Sequence, residues 1–389
     1  MPRKQNKKIR ICFPITSRIH YARQKPLLDL LRKNKNVDLQ LIVAGSIMLE
    51  KYSEKFLPAM KQDGYQIHDA LYNVIEGGNH ITMARTAGLT ALEFANSLYK
   101  LDPDIVLVRA DRYEMLPIAM VAAYLNKTVA HIEGGDLSGT IDESVRHAIS
   151  KLAHIHFVTN EDSRKRLVKM GENPKTVFNV GSPDVEVAAR SNKKIDNNFL
   201  TKIGTGHDLN INEPFMMCML HPVTTEADNK NSMEITLRAV DDTNLPTIWF
   251  WPNSDAGTAE MAKAIRVYRE LGILKNNKIK FVTDILPEDF IALLKKTRVM
   301  IGNSSTGIKE CSFLGIPVVN IGTRQEGRLR GPNVLDVGYD YEKIKTGIES
   351  QIARGRYPAS KIYFKPDTSK RIAKVLTKLA VSRQKKFYE

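Results

Sequence analysis

Short apolar runs recur along the chain, separated by stretches whose apolar positions repeat at helical spacing. In the first half the runs predict strands over Ile9–Ile15 and Val37–Val43 and over residues 68–73, 104–108, 128–130, 155–158 and 177–180. Helical spacing falls between them, over residues 21–32, 48–60, 83–98, 115–125 and 144–152. Pro26 lacks an N–H and is expected in the first turn of its helix.

Residues 191–214 change character, being rich in Asn, Lys, Asp and Gly, and read as a segment joining two domains. A second alternation follows, with strands expected over 215–220, 247–251, 279–282, 299–301 and 318–321. Its helices are expected over 233–240, 258–271, 287–295 and 307–314. A final amphipathic helix over 369–384 closes the pattern. Strands alternating with helices at this spacing imply α/β domains built on largely parallel sheets. The reading is an N-terminal Rossmann-like domain over 1–190 carrying the carboxylates, and a second over 191–368 binding a phosphate-bearing ligand. The segment 369–389 is then a C-terminal helix that packs back on the first domain. Two such halves facing a central cleft make the GT-B fold.

Composition narrows the function classes. At 389 residues the chain is long enough for two cores, and 42% hydrophobic with 26% charged residues is the balance of a soluble globular protein. No apolar run approaches the roughly 20 residues that span a bilayer. The basic N-terminus precedes a strand rather than a signal sequence. The three cysteines, Cys12, Cys218 and Cys311, are far apart in apolar surroundings and read as core thiols of a reduced cytoplasmic protein. The net charge of +15 is spread along the chain apart from clusters near the termini, with no zinc-finger, RNA-recognition or zipper pattern. It reads as a basic surface with some arginines serving an anionic substrate, and nucleic acid is not an expected partner. Neither half carries G-x-G-x-x-G after its first strand, so no dinucleotide cofactor is indicated.

The richest stretch runs from His131 to His147, H-I-E-G-G-D-L-S-G-T-I-D-E-S-V-R-H. It holds Glu133, Asp136, Asp142 and Glu143 between a buried strand and a helix. Carboxylates at the C-terminal ends of strands in an open α/β sheet lie where ligands bind. Asp111 occupies the same kind of position after residues 104–108, although it also fits a helix cap or a partner for Arg112. In the second half His221 ends the run M-M-C-M-L. Gly302-Asn303-Ser304-Ser305-Thr306-Gly307 joins a strand to a helix carrying Glu310, a hydroxyl- and N–H-rich turn suited to a diphosphate. Arg324, after the next strand, adds a cation to the same rim. Acid–base groups thus gather in one half and anion-binding groups in the other.

The ordered segments S-R, K-P-L-L, A-D-R-Y-E, H-I-E-G-G, S-G-T-I-D-E-S-V-R-H, V-G-S-P-D, H-P-V-T-T-E, P-N-S-D-A-G-T, G-N-S-S and G-T-R-Q, spread from Ile9 to Gly331, resemble the hydrolysing UDP-N-acetylglucosamine 2-epimerases of sialic-acid-type sugar biosynthesis. The resemblance implies a cytoplasmic, metal-free and NAD-free homodimer or homotetramer that converts a UDP-2-acetamido sugar to the free 2-epimer plus UDP. The route it implies is elimination to a 2-acetamidoglycal, then hydration. By position, Asp111 is implied for elimination, Glu133 and Asp142 for hydration, and His221 beside the departing diphosphate as an imidazolium. Arg18, Arg23, Arg112, Ser182, Asn253, Asn303, Ser304, Ser305 and Arg324 are implied on the substrate and UDP side, and Glu310 at the ribose.

Two positions depart from the family pattern. His20 stands where an acidic residue is usual, near the sugar, which leaves UDP-GlcNAc and a UDP-2,4-diacetamido-trideoxyhexose of the legionaminic-acid route both open as substrate, with a weakened enzyme as the other reading. Ala110 precedes Asp111 where Gly is usual. The alternatives are a non-hydrolysing 2-epimerase, a GT-B glycosyltransferase and a non-catalytic nucleotide-sugar binder. The S-G-T-I-D-E-S-V-R-H segment favours the hydrolysing branch.

Overall fold

The computed structural model describes residues 8–378 and 384–389. The first half alternates β1 (Ile9–Ile15), α1 (Arg18–Lys33), β2 (Val37–Val43), α2 (Glu50–Gln62), β3 (Ile67–Ala70), α3 (His80–Leu101), β4 (Ile105–Arg109), α4 (Met115–Tyr124), β5 (Thr128–Ile132), α5 (Ile141–Leu152), β6 (Ile155–Val158), α6 (Glu161–Lys169), β7 (Val177–Asn179) and α7 (Pro183–Arg190). The second comprises β8 (Thr205–Gly206), β9 (Met216–Met219), α8 (Asn229–Asp241), β10 (Thr247–Phe250), α9 (Thr258–Glu270), β11 (Ile279–Val282), α10 (Pro287–Lys296), β12 (Val299–Gly302), α11 (Ser305–Ile308), α12 (Glu310–Leu314), β13 (Val318–Ile321), β14 (Val334–Val337) and α13 (Tyr341–Arg354). Helix α14 (Thr368–Lys378) follows.

Each half carries one sheet. The orders are β3-β2-β1-β4-β5-β6-β7 and β14-β13-β12-β9-β10-β11-β8. All pairings are parallel except β8 against β11. Strands such as β4 and β5 are buried along their whole length, as sheets covered on both faces must be. Apolar clusters cover both faces of each sheet. A smaller cluster of Val185, Ile308 and Tyr363 joins the two halves.

The strand orders fix where ligands can enter. In the first sheet the chain winds outward in both directions from β1 and β4, and in the second from β9 and β12. At these switch points the loops diverge and leave a crevice. The chain leaving these strands carries Arg18 and His20 in the first turn of α1 after β1, Asp111 after β4, His221 after β9 and Ser304 after β12. Gly302 makes the second divergence possible: its φ is +115°, and a Cβ there would lie 2.2 Å from the Met219 carbonyl oxygen.

Several expectations are corrected. Helix α1 begins at Arg18, so Pro26 lies inside it rather than in its first turn and leaves the Ala22 carbonyl without a helical donor. The helix expected over 307–314 is two short ones, broken at Lys309. Residues 191–214 are not a bare joining segment: Leu200, Leu209 and Ile211 are buried in the second core, and β8 edges its sheet. The expected 369–384 helix extends over Thr368–Lys378; residues 379–383 lie outside the described residues, and Gln384 onward is not helical. Ile372 and Leu376 of this helix belong to the core of the first domain.

Candidate active site

The facing switch points enclose a cleft of about 180 Å³ lined by residues of both domains. Asp111, Glu133, Asp142, His221, Arg18, His20, Arg23, Arg112, Asn253, Ser304, Ser305, Glu310 and Arg324 all line it. Ser182 and Asn303 stand behind the wall. The Ser182 hydroxyl is 3.4 Å from Glu133 Oε1, and Asn303 is bonded to His221 through both its amide groups at 2.8 Å.

Two strand ends bend sharply to aim the carboxylates. Ala110 has φ +58° and Glu133 φ +70°, left-handed conformations that a residue with a Cβ adopts at a cost of roughly 1–2 kcal/mol. Both turns are tied to the neighbouring strand, Ala110 N–H donating to Ile132 O and Glu133 N–H to Phe157 O, each 2.8 Å. The conformation of Ala110 accounts for a glycine being usual there. Strain of this kind concentrates at functional sites.

The three carboxylates differ in state. Asp111 does not pair with Arg112 and caps no helix; Arg146 bonds it directly and Arg328 lies 3.9 Å away. Burial works to raise it, but these two arginines prevail and hold it at about 2. Glu133 is likewise opposed by burial, yet Lys309 at 2.8 Å and Arg109 at 3.0 Å hold it well below the usual carboxylate range. Asp142 is the second residue of α5, its N–H accepted by the Thr140 hydroxyl. Burial and the charge of Asp111 raise it to about 6, with Arg324 at 3.9 Å only partly offsetting them. Two acids pushed apart in this way divide into one fixed anion and one proton carrier.

The histidines are neutral donors. Asn253 N–H donates to His221 Nδ1 at 3.2 Å, which leaves the ring proton on Nε2. Burial, then the charges of Arg324, Arg18 and Arg112, depress His221 well below its ordinary value, so it is an imidazole and not the expected imidazolium. His20 is also buried, with Nδ1 3.3 Å from the Thr16 hydroxyl, and is lowered first by burial and then by Arg109 and Arg112.

Among the arginines of the cleft, Arg18 binds Thr283 O and Asp284, each at 2.9 Å, and stacks on Tyr52. Arg112 is bidentate on Glu114 and reaches Asp255 of the second domain at 3.5 Å. Arg23 binds Asp184 and Glu310 at 2.7 and 2.8 Å, so it bridges the domains. Glu310 Oε1 is thereby occupied, while Oε2 is buried and has no hydrogen-bond partner among the described residues. Asp136, one of the four carboxylates of the 131–147 stretch, is in the cleft wall, and so are Arg109, Arg146, Asp184, Lys309 and Arg328, which the sequence does not single out. Only Arg146 had a local signal, its i, i+4 spacing from Asp142 on α5. Among the described residues no group of three or more His, Cys, Asp or Glu is placed to share a metal ion.

Two Rossmann-like domains with their strand ends meeting across such a cleft are the GT-B arrangement. Residues 29–377 match the UDP-N-acetylglucosamine 2-epimerase family, and the chain belongs to it. It is 33% identical over 378 residues to the UDP-N,N'-diacetylbacillosamine 2-epimerase (hydrolyzing) of Legionella pneumophila, covering 96% of this chain and 97% of that one. Identity is also 33%, over 380 residues and the same shares, to a UDP-N-acetylglucosamine 2-epimerase of Neisseria meningitidis. The fold matches the Methanocaldococcus jannaschii UDP-GlcNAc 2-epimerase solved with UDP-GlcNAc and UDP, with a TM-score of 0.76, 19% identity, and 95% and 99% of the two chains covered.

The state of Asp142 gives a pH prediction. A step that uses the ionised Asp142 as base falls about tenfold per pH unit below a midpoint near 6, and the step expected to show it is hydration of a supplied 2-acetamidoglycal. Asp111, held at about 2, adds no break above that. The residual activity of Asp142→Asn should lack this limb; an unchanged limb would assign it to another group.

Proposed function

We propose that the protein is a hydrolysing 2-epimerase, converting a UDP-2-acetamido sugar and water to UDP and the free 2-epimeric sugar. The observation that carries this reading is the pairing of an ionised Asp111 with an Asp142 near 6 in one cleft. The C1–O bond breaks, its electron pair leaves with UDP, and the proton on C2 passes to a carboxylate, giving a 2-acetamidoglycal. A carboxylate held near 2 is a weak base, so departure of UDP leads and Asp111 takes the proton as charge develops at C1. The neutral Nε2–H of His221 and the Ser304 and Ser305 loop stabilise the charge gained by UDP. The unpartnered Glu310 Oε2 is an acceptor suited to a ribose hydroxyl. Hydration then returns a proton to C2 on the opposite face and a hydroxyl to C1. Asp142 moves protons in this step, while Glu133, already fixed by two cations, acts as an oriented anion.

The sugar is of the UDP-2,4-diacetamido-trideoxyhexose type, and its free epimer serves legionaminic-acid synthesis. His20 and the Legionella relative support this assignment. The three separate buried thiols suit a cytoplasmic enzyme.

The roles separate in half-reactions. Asp111→Asn should lose roughly 10²–10⁴ in UDP release yet still hydrate a supplied 2-acetamidoglycal, whereas Asp142→Asn should release UDP and leave glycal in solution. Equal loss of both steps in both variants would show that the roles are not divided.

A homodimer, with a homotetramer as the larger alternative, completes this reading. Ile81, Leu92 and Tyr99 are 58%, 68% and 78% exposed on α3. Ala84 and Gly88 extend the line at helical spacing, a stripe suited to a second copy. Light scattering should give at least twice the monomer mass, and Leu92→Glu with Tyr99→Glu should give the monomer. A wild-type monomer at micromolar concentration would contradict this.

A further inference from the structure

The loop that follows β12 does two things with adjacent residues. Its chain is broken between α11 and α12 at Lys309, which has φ −95° and ψ −71°. Glu310 on one side of the break reaches Arg23, and Lys309 itself reaches Glu133, both in the first domain. Lys309 is 4% exposed, and its ammonium lies 2.8 Å from Glu133 Oε1. A buried lysine requires such an answering charge, and Glu133 is the only ion-pair partner it has among the described residues. The other oxygen of Glu133 takes Arg109, which is divided between Glu133 and Asp184.

We propose that Lys309 is a positioning residue for Glu133: a cation carried by the nucleotide-binding loop crosses the cleft and sets the orientation of the catalytic carboxylate. The inference rests on the 2-epimerase reading, in which Glu133 serves hydration. Glu133 leaves its strand in a strained left-handed conformation and depends on side-chain partners to hold its carboxylate. Its own domain supplies Arg109 and the Ser182 hydroxyl, whereas Lys309 is available only when the loop carrying Ser304, Ser305 and Glu310 is in place. One turn of chain therefore links seating of the nucleotide to alignment of the acid on the opposite wall. The charged and titratable groups facing Glu133 are Arg109 from β4, Asp184 from α7, Arg23 and His20 from α1, Lys309 between α11 and α12, and, from the segments after β13 and α13, Arg328 and Tyr363. Lys309 exerts the largest charge effect among those that hold it low. Without that ammonium the carboxylate rises toward ordinary values and becomes protonated as the pH falls.

The test is a double-mutant cycle on the full-length enzyme, using Lys309→Met, Glu133→Gln, the pair together and Lys309→Arg. Wild-type release of UDP and free sugar from the UDP-sugar tests the parent reading separately. Lys309→Met should lower kcat roughly 10- to 100-fold with KM changed less than about threefold, as expected for a misplaced catalytic group. Its pH profile should gain a limb in which activity falls as pH falls, and Lys309→Arg should recover activity and remove that limb. In the Glu133→Gln background, Lys309→Met should have no further effect on kcat. An equal fold-loss in both backgrounds, or a change confined to KM, would overturn the proposal. If Lys309→Met alone does not fold, the double variant, which leaves no unpaired buried charge, carries the comparison. The same kcat as Glu133→Gln supports the coupling, and a further loss refutes it.

Discussion

The structure depends on ionic complementarity between the two walls of its cleft. Asp111, Glu133 and Asp142 on the first domain are answered by Arg328, Lys309 and Arg324 of the second. Arg18, Arg23 and Arg112 of the first reach Asp284, Glu310 and Asp255 of the second. Charges buried this deeply are costly unless paired, so closing the cleft and pairing them are one event. The same pairing sets the chemistry. It keeps Glu133 ionised despite burial and, with Arg146 of the first domain, Asp111 as well; Asp142, which lacks such a close second cation and has Asp111 beside it, is raised to about 6.

The exposed end of each sheet explains why these residues meet. Switch points in both sheets open crevices at the C-terminal strand ends, and the strained turns at Ala110 and Glu133 direct side chains into the gap. Backbone contacts seal the closure: Gly139 N–H donates to Arg324 O at 3.2 Å, and a Cβ on Gly139 would lie 2.1 Å from Thr323 O. Two domains this close leave no room for a side chain there.

Much of this was legible in the sequence because strand-end residues announce themselves by the apolar run before them. Asp111, Glu133 and His221 were found that way, and Asp142 from its place at the start of a helix. The cations that tune them were not, since a lysine or arginine gives no local sign of a partner that is 176 residues away, as Glu133 is from Lys309. Helix α6 was missed because Ser163 and Leu167 are its only buried residues, too few for a stripe. The extended start of α1 was hidden by Pro26, whose lost hydrogen bond the helix tolerates. The neutral state of His221 comes from burial and the arginines around it, and its tautomer from the Asn253 N–H, all of which only the folded chain brings to its ring.

The central claim is that this cleft cleaves UDP from a 2-acetamido sugar and inverts C2 through a glycal. NMR in deuterated water tests it most directly, with UDP-GlcNAc and its 4-acetamido-4,6-dideoxy analogue supplied together. The account predicts UDP and free 2-epimeric sugar in equal amounts, with one deuterium at C2 and the diacetamido substrate consumed first. A 2-epimer still linked to UDP, or free sugar retaining its original C2 hydrogen, would contradict it.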